Sequence, residues 1–297
     1  MKPAYVFSAT SIALAASVML TASGSQQSDE TTRQIIAEEF LKARPAAAKS
    51  AAPKRPVYRP VTAAAPSALK AAPGTIDLGV TLWRLRPAQG SDDGARLLVQ
   101  DAAELTAERI ETGDPLAIGD RVRVTIESPA AGFLYVVDRE MYSDGTVSEP
   151  YLIFPTSRTR QGDNAVRAGK LIDIPDQQDR PNYFSVRPSR PGQTGELITI
   201  LVTPTALDKV TISDKPLVLD KELVASWEKS WAAPVQQFAL SGGAKKLWTR
   251  EEQASASDGT RLLKQDDPPP QTIFRLAAKK GSPVLVSVRL PYATTSK

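Results

Sequence analysis

Four acidic side chains fall within one stretch of the chain, "GFLYVVDREMYSDGTVSEPYLIFP", residues 132–155. Asp138, Glu140, Asp144 and Glu149 offer the carboxylate oxygens that hard cations such as Ca²⁺ prefer. Two carboxylates at a suitable separation would also provide the acid and base of a glycosidase. Their spacing matches no EF-hand loop, however, and a strand, an SDG turn and a return strand account for the stretch. We therefore predict a β-hairpin, with no metal ligand and no catalytic residue.

A glycine-rich basic segment, "RTRQGDNAVRAGKLIDIP", follows at residues 158–175. Such a loop can surround an anion, but this one lacks the Gly-Lys-Ser/Thr run of a phosphate-binding P-loop. Gly-Asp-Asn is a common turn sequence. We expect no cofactor here.

The chain has no histidine and no cysteine. These absences exclude thiolate nucleophiles, Cys/His zinc sites, Ser-His-Asp triads and imidazole acid–base catalysis. An enzyme would have to use Asp, Glu, Lys, Tyr, Ser or Thr. With no catalytic motif present, we expect a protein that is not an enzyme.

The first 24 residues have the pattern of a signal peptide. Lys2 supplies a positive start, residues 4–20 are apolar or small, and residues 22–24 are small where a signal peptidase cleaves. We expect a periplasmic or secreted protein of the bacterial envelope that meets the membrane only transiently. The alternative is a retained anchor, although the stretch is short for a membrane span.

Residues 25–42 predict a short amphipathic helix, because Ile35, Ile36 and Phe40 share a side and Pro45 follows. A helix this short is marginal alone, so it either docks or frays. Residues 43–75 are rich in alanine, proline and lysine, which predicts a disordered linker.

The net charge of +4 comes from the N-terminal part of the chain. Between residues 42 and 76 there are no acids and seven bases, which are Lys42, Arg44, Lys49, Lys54, Arg55, Arg59 and Lys70. The remainder is nearly neutral, so we expect no binding to nucleic acid. A flexible arm with these cations would serve as a spacer or would attract anionic envelope polymers.

Residues 76–292 contain about ten short stretches with β-strand alternation and few helix-length patterns between them. In "DRVRVTIES", the residues Val122, Val124 and Ile126 should face a core. The alternate residues should face solvent, and these are Arg121, Arg123, Thr125 and Glu127. The sequence predicts a mainly β protein, an antiparallel β-sandwich, with a helical insertion at about residues 220–256. Asp220 should cap the first insertion helix, which aligns Leu223, Trp227 and Trp231 on one side.

Five ordered pieces carry a resemblance to a known family. They are "GVTLWRLRP", "IGDRVRVTIESPAAGFLYVVDRE", "DGTVSEPYLIFPTSRTRQGDNAVRAGKLIDIP", "GELITILVTP" and "IFRLAAKKGSPVLVSVRLPY". Together they resemble the domain of unknown function 4384 family over residues 76–292. The resemblance implies an accessory, sensing or interaction role in envelope or secreted proteins. It implies no catalytic residues.

These observations favour a recognition protein whose β-sandwich binds another envelope protein or a cell-wall polymer. Aromatic and arginine side chains are favoured at interfaces. The predicted interaction surface is therefore Tyr142, Asp144, Tyr151, Arg158 and Arg160. The alternative is a hydrolase that acts on envelope glycan through two carboxylates.

Overall fold

Two antiparallel β-sheets pack face to face in a computed structural model that describes residues 35–46, 56–61, 74–92, 95–98, 104–257 and 261–294. The strands are β1 (Tyr58–Pro60), β2 (Thr75–Pro87), β3 (Arg96–Leu98), β4 (Glu104–Ile110), β5 (Arg121–Glu127), β6 (Gly132–Tyr142), β7 (Tyr151–Phe154), β8 (Ala165–Val166), β9 (Leu171–Ile174), β10 (Phe184–Ser185), β11 (Gln193–Thr203), β12 (Leu217–Val218), β13 (Val235–Leu240), β14 (Thr272–Ala277) and β15 (Val284–Pro291). The helices are α1 (35–42), α2 (Lys221–Trp231), α3 (Arg250–Ser257) and a 3₁₀ turn at Arg160–Gly162. The prediction of a mainly β, antiparallel sandwich is confirmed.

The six-stranded sheet has the order β12-β7-β6-β11-β15, with the short β8 also paired to β6. The nine-stranded sheet has the order β1-β13-β14-β2-β4-β3, and β5 joins it through β2 and carries β9 and β10. At Leu82 the strand β2 pairs with both β4 and β5, so these two strands flank it on opposite sides. The 13 residues of β2 make it the central strand of this sheet.

The main hydrophobic core lies between the two sheets. Alternation along β5 turns Val122, Val124 and Ile126 inward, as predicted, where they join Leu134 and Val136 of β6 in one buried cluster. This placement puts the inner faces of both sheets in contact.

The opposite face of β5 is also buried, and here the prediction of a solvent-facing side is wrong. Arg123, Thr125 and Glu127 are only 1%, 4% and 2% exposed. A second layer, formed by α1, α3 and residues 261–271, covers this face of the nine-stranded sheet. Local alternation distinguishes two faces of a strand, but it does not say which of them meets water.

The helix α1 docks on the nine-stranded sheet. Ile36, Ala37 and Phe40 are buried with Phe238 of β13 and Ile273 of β14. Because this apolar side is covered, a helix too short to persist alone is stabilised by packing.

The predicted linker at residues 43–75 differs from the structure in its described parts, which are residues 43–46, 56–61 and 74–75, the last of which begins β2. Arg44 is 3% exposed, and its guanidinium forms two hydrogen bonds of 2.7 Å with Glu127. Residues 58–60 form β1, which pairs with β13, and the Tyr58 hydroxyl donates to the Pro270 carbonyl at 2.6 Å. These residues belong to the folded domain. The predicted signal peptide and the rest of the linker lie outside the described residues.

Two of the seven cations assigned to the arm are held within the domain. Arg44 pairs with Glu127, and Arg59 pairs with Glu111. Lys49, Lys54, Arg55 and Lys70 lie outside the described residues. No helix in the described part of the chain is long and apolar enough to cross a bilayer.

The predicted helical insertion contains two helices separated by a strand. Asp220 caps α2 as predicted, by accepting a hydrogen bond from the Leu223 N–H at 2.8 Å. Trp227 and Trp231 stack with ring centroids 5.8 Å apart. Between α2 and α3, however, β13 pairs with β14 and so is part of the nine-stranded sheet. The segment 220–256 is therefore only partly helical.

Candidate functional site

The carboxylates singled out from the sequence separate into two groups. Strand alternation along β6 places Asp138 and Glu140 on the same side as Leu134 and Val136, whose side chains belong to the inter-sheet core. The two acids thus continue the inner face of the sheet toward its open end. Asp144 lies beyond the strand, in the turn.

A third acid joins Asp138 and Glu140 from the neighbouring strand β11. In the antiparallel register, Glu196 lies directly opposite Glu140, and Ile198 lies opposite Asp138. Ile198 and Ile200 belong to the inter-sheet core, so Glu196 faces the same way as they do. Like charges opposite one another across a sheet are destabilising. The arrangement therefore needs either protons or an external cation.

A pocket of about 170 Å³ opens between the sheets at this end. Most of its wall is aliphatic and comes from both sheets, namely Leu116, Val122, Val124, Val136, Ile153, Ile174, Val186, Ile198 and Leu290. Asp138, Glu196 and Tyr292 line it as well, and the exposed Phe184 and Ser185 also belong to its wall. A cavity of about 150 Å³ holds one benzene-sized group, so the pocket fits a single side chain.

The pocket carboxyls are only partly satisfied by protein donors. One oxygen of Glu196, Oε1, accepts from the Tyr292 hydroxyl and from Gln193 Nε2, the latter at 2.8 Å. The other oxygen, Oε2, is buried without a donor, and so is Asp138 Oδ1. The Asp138 and Glu196 carboxyls are close enough that the charge of one raises the pKa of the other, which favours a form of the pair that keeps a proton.

Burial and like charge both favour retention of a proton by the pair. Burial first, and then the Glu140 carboxylate, raise the pKa of Asp138 to about 7. Burial and the Asp138 carboxylate raise the pKa of Glu196 to about 8. Burial and Glu196 also raise the pKa of Tyr292, so its hydroxyl remains a donor. Carboxyls of this kind inside a cleft are characteristic of functional sites.

The predicted interaction surface is divided by the structure. Tyr142 is 7% exposed, donates its hydroxyl hydrogen to Glu140, and is covered by Arg190, whose guanidinium carbon lies 3.6 Å from the ring centroid. Asp144 is exposed, and its Oδ1 accepts from the Thr146 N–H at 2.9 Å, so it shapes the hairpin turn.

Tyr151 is 38% exposed. Arg158 is exposed and forms an ion pair with Asp214 at 3.5 Å. The side chain of Arg160 is 7% exposed and donates to the Ala256 carbonyl at 3.1 Å. The side chains of Tyr142 and Arg160 are therefore largely covered, while Asp144, Tyr151 and Arg158 are exposed.

Glu196 and Tyr292 were missed by the sequence analysis, and Glu149 pairs with Lys221 away from the pocket. The signal for Glu196 was the alternation in "ELITILV", in which Glu196 shares a face with Ile198, Ile200 and Val202. An acidic residue at the end of the apolar face of β11 is the sequence feature that could have indicated the pocket.

A larger cavity of about 540 Å³ lies beside α1. Lys42 and Pro56 contribute to its wall, and the chain between them, residues 47–55, is outside the described residues. No site is assigned to this cavity.

Among the residues that the structure describes, no group of three or more acids is arranged to hold a metal ion. No protein-family model, curated protein or solved structure matches this chain.

Proposed function

We propose that this protein is a recognition protein of the bacterial envelope, without catalytic activity, that binds a partner protein through the pocket at the open end of its sandwich. One observation carries the proposal: Asp138 and Glu196 place two buried oxygens that lack donors in a mainly aliphatic pocket. Buried polar atoms are normally satisfied, and a binding partner is one way to satisfy them.

The size of the pocket supports a protein partner over a glycan chain. Its volume suits one side chain, and its wall is mainly aliphatic, whereas a sugar carries hydroxyls around its ring that need polar partners. The envelope location is supported by the signal-peptide pattern of residues 1–24. The resemblance to the domain of unknown function 4384 family supports the same role.

One observation favours the alternative, a hydrolase acting on envelope glycan. The pKa values of Asp138 and Glu196 lie near neutrality, where a general acid or base is most effective. Glycosidases, however, keep their two carboxyls about 5 Å or more apart so that the scissile bond fits between them. The pocket at Asp138 and Glu196 has room for one side chain, not for two sugar rings and the bond between them.

A photo-crosslinking amino acid at Ser185, beside the pocket, tests the proposal in cells that produce the full chain. The matched control carries the crosslinker at Lys280, an exposed residue in the turn that precedes β15 at the other end of the sandwich. We expect a discrete protein adduct from Ser185 only, and its loss in the double variant Asp138→Asn, Glu196→Gln.

Adducts of wall fragments alone, or equal capture at both positions, contradict protein recognition through this pocket. Release of sugars from purified wall by the wild-type protein, but not by the double variant, would establish the hydrolase instead.

A further inference from the structure

The acids at the pocket are partly buried and differ in their partners from the fully buried acids of the fold. Four buried acids on the outer side of the nine-stranded sheet each have an arginine partner. The pairs are Glu127 with Arg44, Glu252 with Arg109, Asp173 with Arg123, and Asp77 with Arg275. Within the described chain, no lysine or arginine is ion-paired with Asp138, Glu140 or Glu196. The fold thus supplies a cation for every member of one group and for none of the other.

We propose, resting on the function proposed above, that the pocket binds a primary ammonium group on an alkyl stem, as in a lysine side chain of the partner protein. The ammonium takes the place of the proton that the pair of Asp138 and Glu196 retains. As it binds, that proton leaves for solvent, and the two carboxylates face the cation directly.

The distribution of polar atoms selects an ammonium over a guanidinium. The two oxygens without donors, Asp138 Oδ1 and Glu196 Oε2, belong to different carboxyls. A guanidinium is suited to both oxygens of one carboxylate, but Oε1 of Glu196 is already occupied by Tyr292 and Gln193. An ammonium is a compact charge with three donors, so it can bridge two carboxylates.

The surroundings of the pair fit this ligand. On its own sheet the pair faces Glu140. The hydroxyls of Tyr142 and Tyr292 donate to Glu140 and Glu196, and Arg190 lies over the Tyr142 ring. The facing sheet contributes Val122, Val124 and Ile174, which are aliphatic. A stem of four methylenes would bury apolar surface against these walls while its charged head reaches the carboxyls.

The test uses the full chain with labelled isoleucine and leucine methyl groups, titrated with n-butylammonium chloride and followed by NMR. A ligand this small binds with a dissociation constant on the order of millimolar. We expect shifts at Ile198 and Leu290, and affinity at least tenfold weaker at pH 6 than at pH 8, since below the pKa of the pair binding must release a proton. Two control ligands are titrated in the same way. Butan-1-ol has the same alkyl stem without the charge, and n-butylguanidinium carries a guanidinium group in place of the ammonium.

The double variant Asp138→Asn, Glu196→Gln should lose the response to butylammonium, while Asp144→Asn at the exposed turn should retain it. Thermal unfolding of each variant confirms that it is folded. Calorimetric titration at pH 7 in two buffers of different ionisation enthalpy should show release of a proton on binding.

Equal binding of butan-1-ol and butylammonium, tighter binding of butylguanidinium, or an affinity for butylammonium that is independent of pH overturns the ammonium inference. If butan-1-ol binds and the Ser185 crosslink forms, the proposed recognition function stands and only the ligand class is wrong. If no probe binds and no crosslink forms, both proposals fail.

Discussion

Replacing the carboxyl pair by amides should change how the stability of the fold depends on pH. A tenfold change in a protonation equilibrium is worth about 1.4 kcal/mol. Raising the pKa of Asp138 from 3.8 to about 7 therefore makes its ionisation in the folded state less favourable by about 4 kcal/mol. Glu196 adds to this cost, but the two titrate as one unit, so their contributions do not simply sum.

The sign follows from which state binds more protons. Between the ordinary carboxyl range near pH 4 and the raised values of about 7 and 8, the folded protein retains protons that the unfolded chain has released. Stability contributed by the pair is thus fully present at about pH 4 and is lost as the pH rises to about 8. The double variant Asp138→Asn, Glu196→Gln lacks both titrating carboxyls, so its stability should not fall over this pH range for that reason.

The composition leaves this pH range unusually clear. The chain has no histidine and no cysteine, so the side chains that commonly titrate between pH 5 and 9 are absent. Urea unfolding at several pH values, followed by the fluorescence of the four tryptophans, gives the free energy of unfolding for both proteins. We expect the wild type to lose on the order of 4 kcal/mol relative to the variant between pH 5 and pH 9.

If the free energy of unfolding varies with pH in the same way for both proteins, the reasoning is refuted. It is also refuted if the wild type becomes more stable relative to the variant as the pH rises. Either result would mean that the carboxyls are ionised in the folded state and that water or a counter-ion satisfies them. Asp144→Asn serves as the control, since this carboxyl is exposed at the turn.

Two further predictions concern the N-terminal segment, both measured by urea unfolding at neutral pH. Arg44→Ala should lower the free energy of unfolding by about 3–5 kcal/mol, because it leaves the buried Glu127 carboxylate unpaired. The control Arg158→Ala removes an exposed ion pair and should lower it by at most about 1 kcal/mol. Equal effects would contradict the docking of Arg44 on Glu127. Gly79→Ala should cost about 1–3 kcal/mol, because a Cβ there would lie 2.7 Å from Phe40 of α1. The control is Gly90→Ala, whose added Cβ would have no atom within 4 Å and which should change stability by less than about 0.5 kcal/mol. If Gly79→Ala is equally well tolerated, α1 is not held against β2.

The inner half of the fold was predictable from the chain because it depends on local alternation. Val122, Val124 and Ile126 are in the core because every second residue of a strand shares a face. The helix cap at Asp220 also followed from its immediate neighbours. The strands β4 and β13 were not predictable in this way, because "ELTAERI" and "VQQFAL" have weak alternation and are defined by pairing with β2 and β14.

What covers the outer face was not predictable in the same way. Arg123 and Glu127 have the composition of a solvated face, and they are buried because Asp173 and Arg44, distant in sequence, neutralise them. Arg44 stands at the start of an alanine- and proline-rich segment, and its neighbours in sequence do not indicate that it is bound in the domain. Its pairing with Glu127 is seen only in the folded structure.

The candidate site was half visible in the sequence. Asp138 and Glu140 were recognised as possible chemical groups, but their partner Glu196 is set by the register between β6 and β11. Tyr142 was assigned to the surface as an exposure-prone aromatic residue. Its spacing of two from Glu140 predicts the same inner face, and that is where it lies.

The docking of Arg44 also constrains the order in which the domain can be completed. Its guanidinium donates to the carbonyls of Lys264, Asp267 and Pro268, which are 220, 223 and 224 residues later in the chain. During synthesis, Arg44 therefore cannot complete its hydrogen bonds until residues 264–268, near the end of the chain, have been made. Contacts of such sequence separation slow folding, since the chain entropy is lost before the contacts can form. Before residues 261–271 have been made, the outer face of the nine-stranded sheet lacks part of its cover, so the Glu127 side of β5 is open to water.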